Sequence, residues 1–316
     1  MTRAAAVVVA ACTAAAPPPS AMPAVTEPAP AAAGRPPAPR SLAAEAAMVA
    51  IPAGRYIAGS TRAERDAAYE AYRASAGHDA ARTHGWFENE DERHEAELPA
   101  FRIDRVPVTQ AAFAEFVAAG RAAPPAIDEA TWRTQGFQQD WSAVVRFVWT
   151  TNRPPAGRDD HPVVLVTWRE ADAYCKWRGR LHGAARRLPT ADELEKAARG
   201  ENGSEYPWGD TYDPAKLDSA VAGPHDTMPV GSFADGASPY GVLDLAGNVA
   251  EWTRDVPELP EDLADDLGVD LSAARAIRGG SYAQGIPALR VTARTWLTLD
   301  AVASDLGFRC AYDPAR

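Results

Sequence analysis

The sequence predicts an α+β fold in which a few helices and short strands are set in much irregular chain. Two central helix starts are marked by capping boxes, Thr167-Trp168-Arg169-Glu170 and Thr190-Ala191-Asp192-Glu193. In such a box the Thr and Glu side chains each satisfy a free backbone N–H of the first turn. Around the boxes the chain is rich in Gly, Pro and aromatic residues, and 46% of all residues are hydrophobic, which suffices for a sizeable core.

The folded part begins near residue 47, where short apolar runs bounded by turn residues replace an Ala- and Pro-rich start. Residues 48–54 predict a strand that enters a turn, and residues 102–106 alternate as a second strand. Thr109 then caps a helix whose apolar side chains share one face and which ends near Gly120.

The central part of the chain combines an unusual segment with the two capped helices. Residues 121–160 carry Trp and Phe side chains among polar residues and predict an ordered insertion. The helix after Thr167 is expected to run through Trp177, and the helix after Thr190 to end at Gly200. Brief strands are expected further on, near four apolar positions: Val230, Val242, Ile277 and Phe308.

The start of the chain predicts export. Residues 1–12 read as a lipoprotein-like signal segment, in which an apolar stretch leads to Val9-Ala10-Ala11-Cys12, the pattern cut before a lipidated cysteine. Residues 13–46 form a Pro- and Ala-rich linker that cannot bury a core and is expected to be extended and disordered. We therefore predict that residues 47–316 are one domain held in the cell envelope through Cys12. The alternative is an Ala-rich start without a targeting role.

Charge and hydropathy exclude two classes of partner. The net charge is −11, so no basic surface is expected for nucleic acid. No apolar run reaches the roughly 20 residues that a membrane-spanning helix needs. Contact with a membrane is thus expected only through the N-terminal lipid anchor.

Two cysteines remain for the folded domain, Cys175 and Cys310. In an oxidising compartment two such cysteines tend to pair, whereas without export they would be two buried thiols. Their spacing excludes a CxxC metal site.

A series of short motifs runs through residues 48–313. In one-letter code they are MVAIPAG at 48–54, DRVPVT at 104–109, HPV at 161–163, AYCKW at 173–177, RLPT at 187–190, YPWG at 206–209, PVGS at 229–232, DLAGNVAEW at 244–252, RGGS at 278–281 and GFRC at 307–310. Together, in this order, they resemble the formylglycine-generating enzyme (sulfatase-modifying factor) family. The resemblance implies that family's fold, a variant of the C-type-lectin-like fold.

The resemblance breaks at the family's catalytic cysteines. The family's oxidases hold Cu(I) with two cysteines shortly after the Gly-Gly-Ser turn, and thiolates are the soft ligands that Cu(I) prefers. Here Gln284 stands at the first ligand position, Ala288 or Leu289 stands near the second, and the segment is shortened. Ala250 also replaces the usual Trp. We expect neither copper nor the formylglycine reaction, although fold membership alone does not settle chemistry.

Calcium is the cofactor that the resemblance implies. Its ligands would be the side chains of Asp244 and Glu251 and the backbone oxygens of Gly247 and Val249, the oxygen donors that Ca²⁺ prefers. The alternative is a turn in which the two carboxylates satisfy backbone amides. A second family calcium loop would start at Asp218 and Ser219, and Asp226 is a further donor. An acidic surface loop is the alternative there.

Three residues are candidates for the family's cleft: Ser281, Gln284 and Arg290. Ser281 is expected to line the cleft or to satisfy the turn, and no His/Asp pair at recognisable spacing supports a nucleophilic serine. Arg290 and Arg294 would anchor the loop by ion pairs or bind an anionic ligand. The resemblance also implies that Cys175 and Cys310 form a disulfide. The six histidines do not predict a non-heme iron site.

Three functions follow, in order of expectation. The first is a non-catalytic or repurposed envelope protein that binds a protein or small ligand in the ancestral cleft. The second is an oxidoreductase-type enzyme of the same superfamily with different chemistry. The third, disfavoured by the absent cysteines, is the formylglycine-generating oxidase that acts on sulfatases.

Overall fold

A computed structural model describes residues 48–137, 139–258 and 270–314. The predicted signal segment, linker and Cys12 lie outside these residues. The helices are α1 (Arg62–Ala76), α2 (Ala80–Thr83), α3 (Gln110–Ala118), α4 (Glu129–Thr134), α5 (Trp141–Val144), α6 (Trp168–His182) and α7 (Ala191–Arg199). The strands are β1 (Met48–Ile51), β2 (Gly54–Ala58), β3 (His94–Leu98), β4 (Phe101–Asp104), β5 (Ala250–Trp252), β6 (Ala274–Arg278), β7 (Arg294–Thr298), β8 (Leu306–Gly307) and β9 (Ala311–Tyr312).

The α+β prediction is confirmed, and both central helices begin at their capping boxes. At the start of α6, Thr167 Oγ1 accepts from the Glu170 amide at 3.2 Å and Glu170 Oε2 accepts from the Thr167 amide at 2.9 Å. The same pair of bonds opens α7 between Thr190 and Glu193. None of the described helices is both long and apolar enough to cross a membrane.

Three small sheets frame the described part of the chain. Their strand orders are β1-β4-β9, β2-β3 and β7-β6-β5-β8. All neighbouring strands are antiparallel except β5 and β8, which pair in parallel with Glu251 opposite Gly307. The parallel pairing brings two distant motifs, residues 244–252 and 307–310, side by side.

The main core lies between α3, α6 and the third sheet. Phe113, Tyr174 and Phe308 pack there with ring centroids 5.4–6.3 Å apart. A second apolar cluster receives the segment that the sequence marks as an insertion at 121–160. Its Trp132 and Phe147 are buried with Val249 and Tyr282, so the segment forms part of the core beside residues 279–289.

Two of the four expected strands beyond α7 are absent from the described structure. Val230 lies in a turn, where its amide donates to Asp160 O at 2.9 Å. Val242 lies in irregular chain just after a turn, and its amide donates to Ser238 Oγ at 3.2 Å. Their apolar side chains reflect burial of an irregular chain, which periodicity alone cannot distinguish from a strand. Ile277 lies in β6, and Phe308 directly follows β8.

Candidate functional site

The Gly-Gly-Ser turn follows β6 and fixes Ser281 inside the domain. Gly280 has φ +61°, and a Cβ there would lie 2.6 Å from Ala288 O, so the turn requires glycine. Ser281 is fully buried, and its Oγ donates to Asp305 Oδ2 at 2.6 Å. The turn therefore joins the 279–289 segment to the loop that leads into β8. We call residues 279–289 and 301–305 the candidate cleft.

The positions that the resemblance assigns to the copper ligands carry no thiolate. Gln284 is partly exposed, and its backbone carbonyl accepts a hydrogen bond from the Ala220 amide at 3.0 Å. Leu289 is fully buried with Tyr206 and Leu217, and Ala288 packs against the apolar cluster that includes α1. A carboxamide and a buried alkyl group do not fit Cu(I), which prefers sulfur.

Arg290 is directed away from solvent. Its guanidinium donates to Glu90 Oε2 at 3.1 Å and to Thr292 Oγ1 at 3.2 Å, and it lies 4.9 Å above the Phe87 ring. Both charged side chains are almost completely buried. Of the two roles expected for Arg290, the structure supports loop anchoring, since the buried Glu90 already satisfies the charge that an anionic ligand would need. Arg294 is likewise paired, with Asp91.

Glu251 is paired with Arg309 inside the domain. Nε of Arg309 donates to both carboxylate oxygens of Glu251, at 2.9 and 2.7 Å, and Nη2 donates to Oε1 at 2.6 Å. The two side chains are 2% and 0% exposed. A guanidinium thus already provides the positive charge that Glu251 requires, and calcium would have to share this carboxylate.

The other predicted calcium ligands lie around a tight backbone contact. Gly247 has φ +83°, and a Cβ there would lie 2.2 Å from Asp218 O. Asp244 is buried, and its Oδ2 accepts from the Gly231 amide at 2.6 Å. Burial raises the pKa of Asp244 to about 6. The contact at Gly247 therefore brings the first calcium motif against Asp218 of the second predicted loop.

Asp218 is the carboxylate in this region that most lacks a partner. It is fully buried, and neither of its side-chain oxygens has a hydrogen-bond partner. Burial, with the charges of Asp226 and Asp244, raises its pKa to about 7. Asp226 itself is paired with Arg158 at 2.6 and 2.9 Å. A buried carboxylate without a donor demands a proton or a cation, so Asp218 fits a hard metal ion better than Glu251 does.

The wall of the candidate cleft contains residues that the sequence reasoning missed. Ser304 Oγ donates to Gln139 Oε1, and Gln139 Nε2 donates to Tyr282 Oη at 3.4 Å. Gln135 Oε1 accepts from the Val302 amide at 3.0 Å. Asp305 was missed as well, although its place just before the GFRC motif could have indicated it. The two glutamines lie in no motif.

Cys175 and Cys310 are joined by a disulfide, with Cα atoms 5.6 Å apart. Both residues are fully buried in the main core. Since the two sulfurs are bonded to each other, neither is available as a metal ligand. Among the described residues no group of three or more His, Cys, Asp and Glu side chains is placed to hold a metal. His161, for example, binds Thr227 Oγ1 at 2.8 Å.

The fold and these motifs define a class of protein. Residues 35–314 match the family model of the sulfatase-modifying factor enzyme 1-like domain. The chain is 33% identical to a formylglycine-generating enzyme of Streptomyces coelicolor, with 92% of this chain and 96% of that protein covered. It is 34% identical to an inactive C-alpha-formylglycine-generating enzyme 2 of Bos taurus, with 70% and 80% covered. The chain therefore belongs to the formylglycine-generating enzyme family.

Solved structures agree at the level of fold. PvdO from Pseudomonas aeruginosa has a TM-score of 0.61 and 22% identity, and 84% of this chain and 94% of that chain are covered. CarF has a TM-score of 0.54 and 21% identity, with 84% and 97% covered. At these identities the likeness supports the family's fold and carries no further argument about function.

Proposed function

We propose that this protein is a non-catalytic or repurposed family member that binds a protein or small ligand in the candidate cleft. The observation that carries the proposal is the 279–289 segment, which has no cysteine at the positions that the resemblance assigns to the copper ligands. Gln284 stands at the first of them, and Ala288 or the buried Leu289 stands near the second. The similar proteins include both a formylglycine-generating enzyme and an inactive C-alpha-formylglycine-generating enzyme 2, so loss of the reaction within this family has precedent.

An enzyme of different chemistry is the second candidate. Hercynine oxygenase of Mycolicibacterium smegmatis is 32% identical over 66% of this chain, which spans about half of that relative's length. The specific observation in favour is the Ser281–Asp305 hydrogen bond, which places a carboxylate and a hydroxyl together at the cleft. A candidate acid or base needs such placement before its pKa is considered.

We further propose that the domain works in the cell envelope, exported and anchored by a lipid on Cys12. The disulfide supports this location, because disulfides persist in oxidising compartments and are rare in the cytosol of mesophiles. The signal segment of residues 1–12 and the linker of residues 13–46 are the sequence basis for the anchor.

A ligand screen by thermal melting tests the binding function. We expect wild-type protein to be stabilised by at least one class of small molecule or peptide. We expect Gln284→Trp to lose that response, because a bulky ring at this partly exposed position of the candidate cleft leaves less room for a ligand. Gln284 is partly exposed, so without ligand the variant should melt at the same temperature as the wild type. Ligands that stabilise both proteins equally would place binding elsewhere.

The same protein preparations test the third function, the formylglycine-generating oxidase. We expect no conversion of a sulfatase-type Cys peptide to formylglycine, with or without Cu(I), by mass spectrometry. The Streptomyces coelicolor enzyme serves as the positive control. Multiple turnover by wild-type protein would contradict the proposal.

We also propose that calcium stabilises the domain, with Asp218 and Asp244 as the carboxylate ligands and Gly247 and Val249 as backbone donors. The support is the unpaired, buried carboxylate of Asp218 against the Gly247 turn. Binding to the folded state alone raises stability by RT ln(1 + [L]/Kd), about 2.7 kcal/mol at a hundredfold excess over Kd.

Asp218→Asn provides a sharp test of this calcium site. The folded-state pKa of about 7 exceeds the usual value of 3.8, so the folded protein loses stability as pH rises through 7. In EDTA at pH 8 we therefore expect Asp218→Asn to be more stable than wild type, by about 1–3 kcal/mol, and to respond little to calcium. Melting curves at pH 5 and pH 8, with EDTA or millimolar calcium, measure both effects.

Glu251→Gln is the matched control for the calcium experiment, since it removes the other predicted carboxylate charge. A calcium response that persists in Asp218→Asn but disappears in Glu251→Gln would assign the ion to the Asp244–Glu251 set. If wild type melts identically with EDTA and with calcium, both loops are turns.

A further inference from the structure

Asp305 is the charged group of the candidate cleft that a ligand can reach. Its Oδ2 accepts from Ser281 Oγ at 2.6 Å, and its backbone oxygen accepts from the Ala250 amide at 2.9 Å. Ser281 is fully buried, whereas Asp305 is partly exposed. The hydrogen bonds therefore fix the orientation of a carboxylate that still contacts solvent.

This carboxylate has no cationic partner. Within the described parts of the chain, no Lys, Arg or His lies within 4.0 Å of Asp305. By contrast Glu90, Glu251 and Asp226 are each paired with an arginine. Burial raises the pKa of Asp305, and hydrogen bonds from Ser281 and its own amide oppose that change. These three acids are neutralised by an arginine, whereas the described residues provide no counter-charge for Asp305.

The surrounding wall is polar and neutral. It is built from the hydroxyls of Ser304 and Tyr282 and the carboxamide of Gln139. Gln135 adds a carboxamide whose Nε2 is buried without a hydrogen-bond partner. Such groups orient a ligand without offsetting the charge of Asp305, so the negative charge remains available to a bound cation.

The chemistry of the wall favours an organic cation over a metal ion. Ca²⁺ takes six to eight oxygen ligands, and transition metals take several N, O or S ligands. Among the described residues, no His, Cys or second acidic side chain joins Asp305 in a metal-binding group. A single oriented carboxylate instead suits the N–H donors of an ammonium or guanidinium group.

We propose that Asp305, positioned by Ser281, is the anchor of a subsite that binds the ammonium or guanidinium group of the cleft's ligand. This inference rests on the proposed ligand-binding function and names the chemical class of that ligand. The subsite accepts a linear amine or a basic side chain and rejects an uncharged analogue of the same length.

Isothermal titration with three probes tests the subsite. The probes are cadaverine and agmatine, which carry the cation, and 1,5-pentanediol, which is uncharged and of matched length. Wild-type protein is expected to bind at least one cation and to bind the diol at least tenfold more weakly. Asp305→Asn is expected to lose at least tenfold in affinity for that cation, because Asn keeps an acceptor for Ser281 but not the charge.

Asp300→Asn is the matched control, because Asp300 lies on the same loop but is 80% exposed and pairs with the exposed Arg169. It should bind the cation as wild type does. Equal melting temperatures of the three proteins would show that the substitutions leave the fold intact. Equal affinity in wild type and Asp305→Asn, equal affinity for the diol, or no cation binding overturns the subsite.

Failure of the subsite and failure of the function are distinguishable. If neither cation binds, but another ligand stabilises wild type and not Gln284→Trp, the cleft binds a ligand of another class. If no ligand distinguishes wild type from Gln284→Trp, the binding function itself is contradicted.

Discussion

Glu251→Ala is expected to lower the free energy of unfolding by about 3–5 kcal/mol, the range for removing one partner of a buried ion pair. Arg309 is 0% exposed, so the variant leaves a buried guanidinium without its counter-charge. Arg309 also donates to four backbone carbonyls, those of Asp104, Arg105, Leu243 and Asp244. These bonds prevent the side chain from moving to water. Urea denaturation in EDTA measures the change without any contribution from calcium.

The control for this prediction is an exposed pair. Arg55 and Glu95 are 70% and 56% exposed and 2.8 Å apart, so Glu95→Ala should cost less than about 1 kcal/mol. The double variant Glu251→Gln/Arg309→Met removes both charges together, so it should recover part of the loss. If the free energy of unfolding of Glu251→Ala lies within about 1 kcal/mol of the wild-type value, water reaches Arg309 in the variant, and the pair does not stabilise the fold as a buried ion pair.

The helices could be predicted because their signals are local. A capping box is contained in four residues, and the boxes at Thr167 and Thr190 gave the starts of α6 and α7. The same signal at Thr61 and Glu64 opens α1, which the sequence reasoning passed over. The helices in the 121–160 segment were not predicted from the sequence either. They are short, and their stability comes from packing of residues such as Trp132 and Phe147.

The candidate site could be predicted only in part, because its pairings are non-local. The motifs located Ser281, Asp244 and Glu251, but Arg309 lies 58 residues from Glu251 and Glu90 lies 200 residues from Arg290. No spacing rule links such residues. Only the structure identifies Asp305, by its hydrogen bond with Ser281, and only the structure shows the close contact of Asp218 with Gly247.

The Cys175–Cys310 disulfide has the other large expected effect. It closes a loop of 135 residues, for which the chain-entropy model gives about 4–5 kcal/mol of stabilisation, and native disulfides commonly contribute 2–5 kcal/mol. Cys175→Ala/Cys310→Ala is therefore expected to unfold at a clearly lower urea concentration than the wild type. Both cysteines are fully buried, so dithiothreitol should act on the wild type only when urea opens the fold.

Dithiothreitol also supplies the control for the disulfide. Unfolding of the double variant should be the same with and without it, whereas wild-type protein reduced in urea should approach the stability of the variant. Peptide mapping of unreduced protein isolated from the envelope should recover one cross-linked pair. Quantitative alkylation of both thiols in unreduced, denatured protein would reject the bond in the cell. It would also remove the structural support for an oxidising location, because that support depends on this bond alone.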